Sequence, residues 1–127
     1  MMTVAGRFLA ISLKRDKEAS EALLTGVAVI PNSAMLQLDY GEDLQRQGRN
    51  YEAIGPLRKA FEAQPDNIRF QIALAETELA LGHAGEASKL VAIVKGRLGT
   101  GEKFPGNLRA RAETLVARAA PAEPAAK

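Results

Sequence analysis

The feature that most constrains this chain is a repeat. Sliding the sequence against itself by 34 residues superposes Glu18, Glu52 and Glu86, then Ala19, Ala53 and Ala87, and four residues later Leu23, Leu57 and Val91. Pro31 also matches Pro65, and Gly48 matches Gly82. A unit of this length is one supersecondary element, unable to bury its apolar face alone, so a chain of such units must stack them.

Each period reads as two helices. Ala53, Leu57, Ala60 and Phe61 follow the i, i+4, i+7, i+8 spacing that gathers apolar side chains on one helical face, as do Ala19, Leu23, Gly26 and Val27. Ala87, Leu90, Val91, Val94 and Leu98 make a comparable stripe. The stretches that precede the last two carry Met35, Leu36, Leu38, Tyr40 and Leu44, then Phe70, Ile72, Leu74, Leu79 and Leu81. Their apolar residues occupy more than one face, as burial between two neighbours requires. Pro31 and Pro65 stop helices, Gly48 and Gly82 suit the turns between helices, and Asn50 and Asp66-Asn67 are capping types. Pro56 is the exception: inside a predicted helix it cannot donate to the Glu52 carbonyl, which predicts a bend or a lost bond.

After Leu98 comes a run of breakers, Gly-Thr-Gly-Glu-Lys-Phe-Pro-Gly-Asn, and then a last amphipathic stripe of Leu108, Ala112, Leu115, Val116 and Ala119. Arg109, Arg111, Glu113 and Arg118 fall outside that stripe, so the helix has the polar outer side of a cap. One domain is expected over residues 1–120, with units at about 1–33, 34–67 and 68–101 and the cap at about 107–120. The alanine-proline tail, 121–127, is expected to be disordered.

The residue inventory narrows the chemistry. With no cysteine and one histidine, His83, in 127 residues, the chain cannot assemble a disulfide, a thiolate metal site, a cysteine nucleophile or a histidine pair for zinc, and a catalytic triad would have to rest on His83 alone. We expect no enzyme, no metal and no cofactor. Net charge is only +2, but it is unevenly spread: +1 over residues 1–33, −4 over 34–88 and +5 over 89–118. No apolar run reaches the length of a membrane span, and the opening residues lack a signal peptide's charged head and uninterrupted apolar run. The expected location is therefore the cytoplasm by default, or the periplasm if the chain is a trimmed form of a longer one.

In these respects the sequence resembles the tetratricopeptide repeat family. The best unit is 34–67, where Tyr40-Gly41 stand for the family's Leu-Gly, Leu44 for its first-helix aromatic, Ala53 and Leu57 for its Ala-x3-Phe and Pro65 for its closing proline. The next unit keeps Leu74-Ala75, Gly82, Ala87 and Val91, but has Glu78 in the aromatic position and Gly99 in that of the proline. Residues 1–33 match most weakly, because Gly6-Arg7 replace the Leu-Gly pair and Lys14 replaces the turn glycine. The resemblance implies an all-α, right-handed solenoid of three helix hairpins plus the capping helix. It also implies a non-catalytic scaffold or adaptor, of the sort found in bacterial assembly, secretion and envelope systems.

In that family the first helices line a concave groove that holds a peptide or helix of a protein partner. The corresponding positions are Val4, Phe8 and Ile11, then Met35, Leu38, Glu42 and Gln45, then Arg69, Ile72, Glu76 and Leu79. Their expected surface is apolar with acidic edges from Asp39, Glu42 and Glu76, suited to an amphipathic partner with basic flanks. Leu38 and Ile72 fit packed core equally well. The Lys/Asn clamp by which chaperone-binding members hold a terminal carboxylate is absent, since Leu38, Glu42, Ile72 and Glu76 stand there.

Other constellations carry less. His83 reads as a solvated turn residue, Glu76 and Glu78 point to different faces, and residues 96–106 lack the Gly-Lys-Ser/Thr ending of a phosphate loop. Lys95, Arg97, Lys103, Arg109, Arg111 and Arg118 give an alternative function, binding to nucleic acid or an anionic surface. With Phe104 as their one aromatic, however, they read first as a solvated face. A homo-oligomer, or a subunit of a larger complex, is compatible with all of this.

Overall fold

The computed structural model describes residues 4–119, with side chains from residue 16 onward. These residues are all-helical: α1 (Val4–Val29), α2 (Ala34–Arg46), α3 (Asn50–Ala63), α4 (Ile68–Ala80), α5 (Ala84–Gly99) and α6 (Leu108–Ala119). Helices α2 and α3 pack as one hairpin and α4 and α5 as a second, α3 joins them by packing on α4, and α6 lies against both α4 and α5.

The repeat is visible atom by atom in the turns. Gly48 and Gly82 have φ of 77° and 80°, the left-handed conformation that a side chain disfavours. In the first turn the Gly48 N–H donates to Gln45 O and the Arg49 N–H to Leu44 O; in the second, Gly82 donates to Leu79 O and His83 to Glu78 O. Both are the same two-bond helix stop, which satisfies carbonyls left orphaned at a helix end. The starts match as well. Ser33 Oγ accepts from the Leu36 N–H and Asn67 Oδ1 from the Arg69 N–H, while the buried Gln37 and Gln71 donate back to the carbonyls of Pro31 and Pro65 at 2.9 and 2.8 Å.

Close approach of the paired helices follows from small residues. A Cβ on Gly41 would lie 2.6 Å from Leu57 Cγ and 3.5 Å from the carbonyl of Ala53, which is itself fully buried. The core then runs unbroken through Leu38, Leu44, Leu57, Phe70, Ile72 and Val94 to Leu108, Ala112 and Leu115 of α6, so the last helix does bury its stripe against the preceding hairpin.

One expectation needs correcting. The first predicted hairpin is instead one continuous 26-residue helix, α1, so the described residues form two hairpins flanked by single helices rather than three hairpins. The reason is local: between Gly6 and Gly26 there is no glycine or proline, and the segment Lys14-Arg15-Asp16-Lys17-Glu18, where a turn was due, is made of residues that a helix accommodates. Of the two outcomes expected at Pro56, a bend or a lost bond, the second holds, and α3 runs on through it. It removes one bond, but Glu52, whose carbonyl loses the donor, is exposed and solvated. A smaller shift concerns Asn50, which is the first helical residue, with Arg49 in the cap position. The tail lies outside the described residues.

Candidate functional site

The first helices do present one lined face, but its chemistry differs from the sequence expectation. Leu38 and Ile72 have no exposed surface and belong to the core, and Leu79 is half-buried against it. Met35 is exposed at the first turn of α2. What lines the face is polar: Glu42, Gln45, Arg69 and Glu76, together with Arg111 from α6. Phe8 and Ile11, with Val4, lie in the part of α1 whose side chains are outside the described residues.

Arg111 is the centre of this arrangement. Its Nη1 donates to Glu42 Oε2 at 3.1 Å and its Nη2 to Glu76 Oε1 at 2.6 Å, so one guanidinium from the last helix staples α2 to α4. Arg69 Nη2 donates to Glu42 Oε1 at 2.8 Å and reaches Asp39 at 3.5 Å, and Gln45 Nε2 donates to Glu76 Oε1 at 3.1 Å. Burial alone would lower the pKa of Arg111. The bonds to Glu76 first and Glu42 second outweigh that cost, and the group is held above its ordinary value. The acidic edges predicted for a basic partner are thus already bonded to cations of the same chain, and only one carboxylate exceeds the two guanidinium groups.

Two adjoining clefts open on this face. One, of about 410 Å³, is lined by Glu42, Gln45, Arg46, Glu76, Asn107 and Arg111; the other, of about 280 Å³, lies beside Arg69, Pro105, Gly106, Asn107 and Arg111. A third cleft, of about 430 Å³, lies elsewhere, between α1 and α2 over Leu24, Tyr40 and Leu44. At its edge the buried Asp43 accepts from Ser20 Oγ at 2.5 Å and Gln47 Nε2 at 2.8 Å, and pairs with Arg46, which pins α1 to α2.

Sequence reasoning missed Arg111 as a member of the face, because its partners are 35 and 69 residues away and no local pattern joins them. It also missed Glu78, a buried carboxylate bonded to Arg58 at 3.2 Å and to His83 Nδ1 at 2.5 Å. Here a signal existed: the 34-residue register places Glu78 on Leu44, a core position, so its charge needed partners. His83 is accordingly a half-exposed turn residue with a defined bond.

Three of the six basic residues named in the C-terminal third are bonded within the fold. Arg97 bonds Glu102, the Asp66 carbonyl and Gln71; Arg109 lies 5.8 Å from the centre of the Phe104 ring and 3.6 Å from Glu113; and Arg111 is the staple already described. Among the described residues there is no group of three or more His, Asp or Glu side chains placed to hold a metal ion. Nor, among them, is any helix long and apolar enough to cross a membrane.

Fold and face together define an all-helical, repeat-like protein with a charged, stapled surface along its first helices. No family model matches the chain, and no curated protein matches its sequence.

Proposed function

We propose that the chain is a non-catalytic protein-interaction module that receives a peptide or helix of a protein partner on the face formed by α2, α4 and α6. The observation that supports this reading is the cleft of about 410 Å³ whose walls come from three helices far apart in sequence. Gln45 and Asn107 offer amide donors and acceptors there, and the two carboxylates and two guanidinium groups of the lining balance, which favours a polar segment without net charge. A right-handed tetratricopeptide-type solenoid is part of the same reading. It is supported by the 34-residue recurrence of the caps, the proline-bonded glutamines and the left-handed turn glycines.

The test is a crosslinking pull-down from source-cell lysate with the parent chain and with Asn107→Trp, which fills the cleft from an exposed position, after circular dichroism shows both folded. The reading predicts one protein captured by the parent and lost by the variant. Equal capture by both removes this face as the binding site.

A further inference from the structure

Helix α1 is held to the molecule differently from the other helices. The 34-residue register sets residues 16–29 of α1 on residues 50–63, which are α3. In α3 the inward positions Ala53, Leu57 and Ala60 are fully buried, with α2 on one side and α4 on the other. Their counterparts in α1 are Ala19, which is exposed, and Leu23 and Gly26, which are half-buried. None of the α1 side chains described is buried, and no apolar one among them packs against the core. The helix packs on α2 alone, and the two leave a cleft of about 430 Å³ over Tyr40 and Leu44. What holds α1 is polar. Ser20 Oγ donates to Asp43 Oδ2 at 2.5 Å and accepts from Gln47 Nε2 at 2.9 Å, and among the described residues no other α1 side chain bonds to the rest of the chain. In the next unit the register puts Ile54 and Thr77 in the places of Ser20 and Asp43, so the bond has no counterpart there.

We infer that α1 is a strap, which swings off α2 as one unit about the exposed turn 30–32 while α2 to α6 keep their fold, with the Ser20–Asp43 bond as its latch. An element with few buried apolar contacts opens at a lower free energy than the whole molecule, and does so cooperatively. The latch adds one directional bond to a carboxylate, stronger than a bond between neutral groups. Its release strands no buried charge, because Asp43 keeps the bonds from Arg46 at 2.8 Å and Gln47 at 2.8 Å, both on the α2 side of the interface. Opening bares Leu36, which lies under Gly26, together with Tyr40 and Leu44, so the strap controls access to the outer side of α2.

Native-state hydrogen exchange of the full chain in a series of low urea concentrations tests this. The α1 amides are expected to share one opening, at least about 100-fold more frequent than that of the slowest α4 amides and with a smaller urea dependence. Ser20→Ala should quicken the α1 amides by about threefold to tenfold, the equivalent of one hydrogen bond, and leave those of α4 unchanged. Ser20→Thr, which keeps the hydroxyl, should exchange more slowly in α1 than Ser20→Ala does. One opening common to α1 and α4 would overturn the proposal, as would α1 amides with no measurable protection. So would a Ser20→Ala variant that leaves α1 unchanged or quickens α1 and α4 equally.

Discussion

At the level of single residues, the two hairpins solve one packing problem in two ways. In the first, Gly41 faces Leu57 with no room for a methyl; in the second, the register puts Ala75 and Val91 at the same positions, one carbon larger on one side and one smaller on the other. Gly41→Ala should therefore cost about 1–3 kcal/mol through overpacking, and Leu57→Val should restore much of it, a coupling that a double-mutant cycle on urea midpoints measures. Thr77 has the opposite fault. It is fully buried and its hydroxyl has no hydrogen-bond partner among the described residues, so Thr77→Val should stabilise the chain by about 1 kcal/mol, seen as a higher midpoint at unchanged slope. Small residues at Gly41, Ala53 and Ala87 were legible in the sequence, because their spacing repeats. The orphaned hydroxyl was not, because it depends on what surrounds Thr77 in three dimensions.

Among the elements, those with local punctuation were legible and those without were not. Gly48, Gly82, Pro31 and Pro65 mark the turns around α2 to α5, and the structure places turns there. The first unit was misread because the apolar stripe of Ala19, Leu23, Gly26 and Val27 has helical period whether or not a turn precedes it; only a breaker near Lys14 would have made a hairpin. The loop between α5 and α6 is held instead by charge, since Arg97 bonds Glu102 across it. That bond holds the Glu102 carboxyl below its ordinary 4.5. A depressed acid contributes stability that is present above the ordinary value and is lost as pH falls through the folded one. Titration of the Glu102 carboxyl by NMR should thus give a midpoint under 4.5, with amide exchange of the 100–107 loop quickening over the same range; a midpoint at or above 4.5 would dissociate Arg97 from the loop.

For the molecule as a whole, the decisive feature is that α6 does more than cover an apolar end. Through Arg111 it reaches the carboxylates of both earlier first helices, turning three separate elements into one face. Arg111→Ala strands Glu42, which is buried, and half-buried Glu76, and should cost about 2 kcal/mol in chemical denaturation, more than Arg109→Ala at the outer surface. The sequence made α6 visible as a cap and the first helices visible as a face. The charge pattern of that face was not visible, because the cations that neutralise Glu42 and Glu76 come from other elements. The most direct test of the account is a photo-crosslinking scan in source cells, with the reactive residue placed in turn at Asn107 on the face, at Thr114 on the outer side of α6 and at Ile93 on α5. The account predicts a discrete adduct with a partner protein from Asn107 alone. Adducts from Thr114 or Ile93 without one from Asn107 would contradict it.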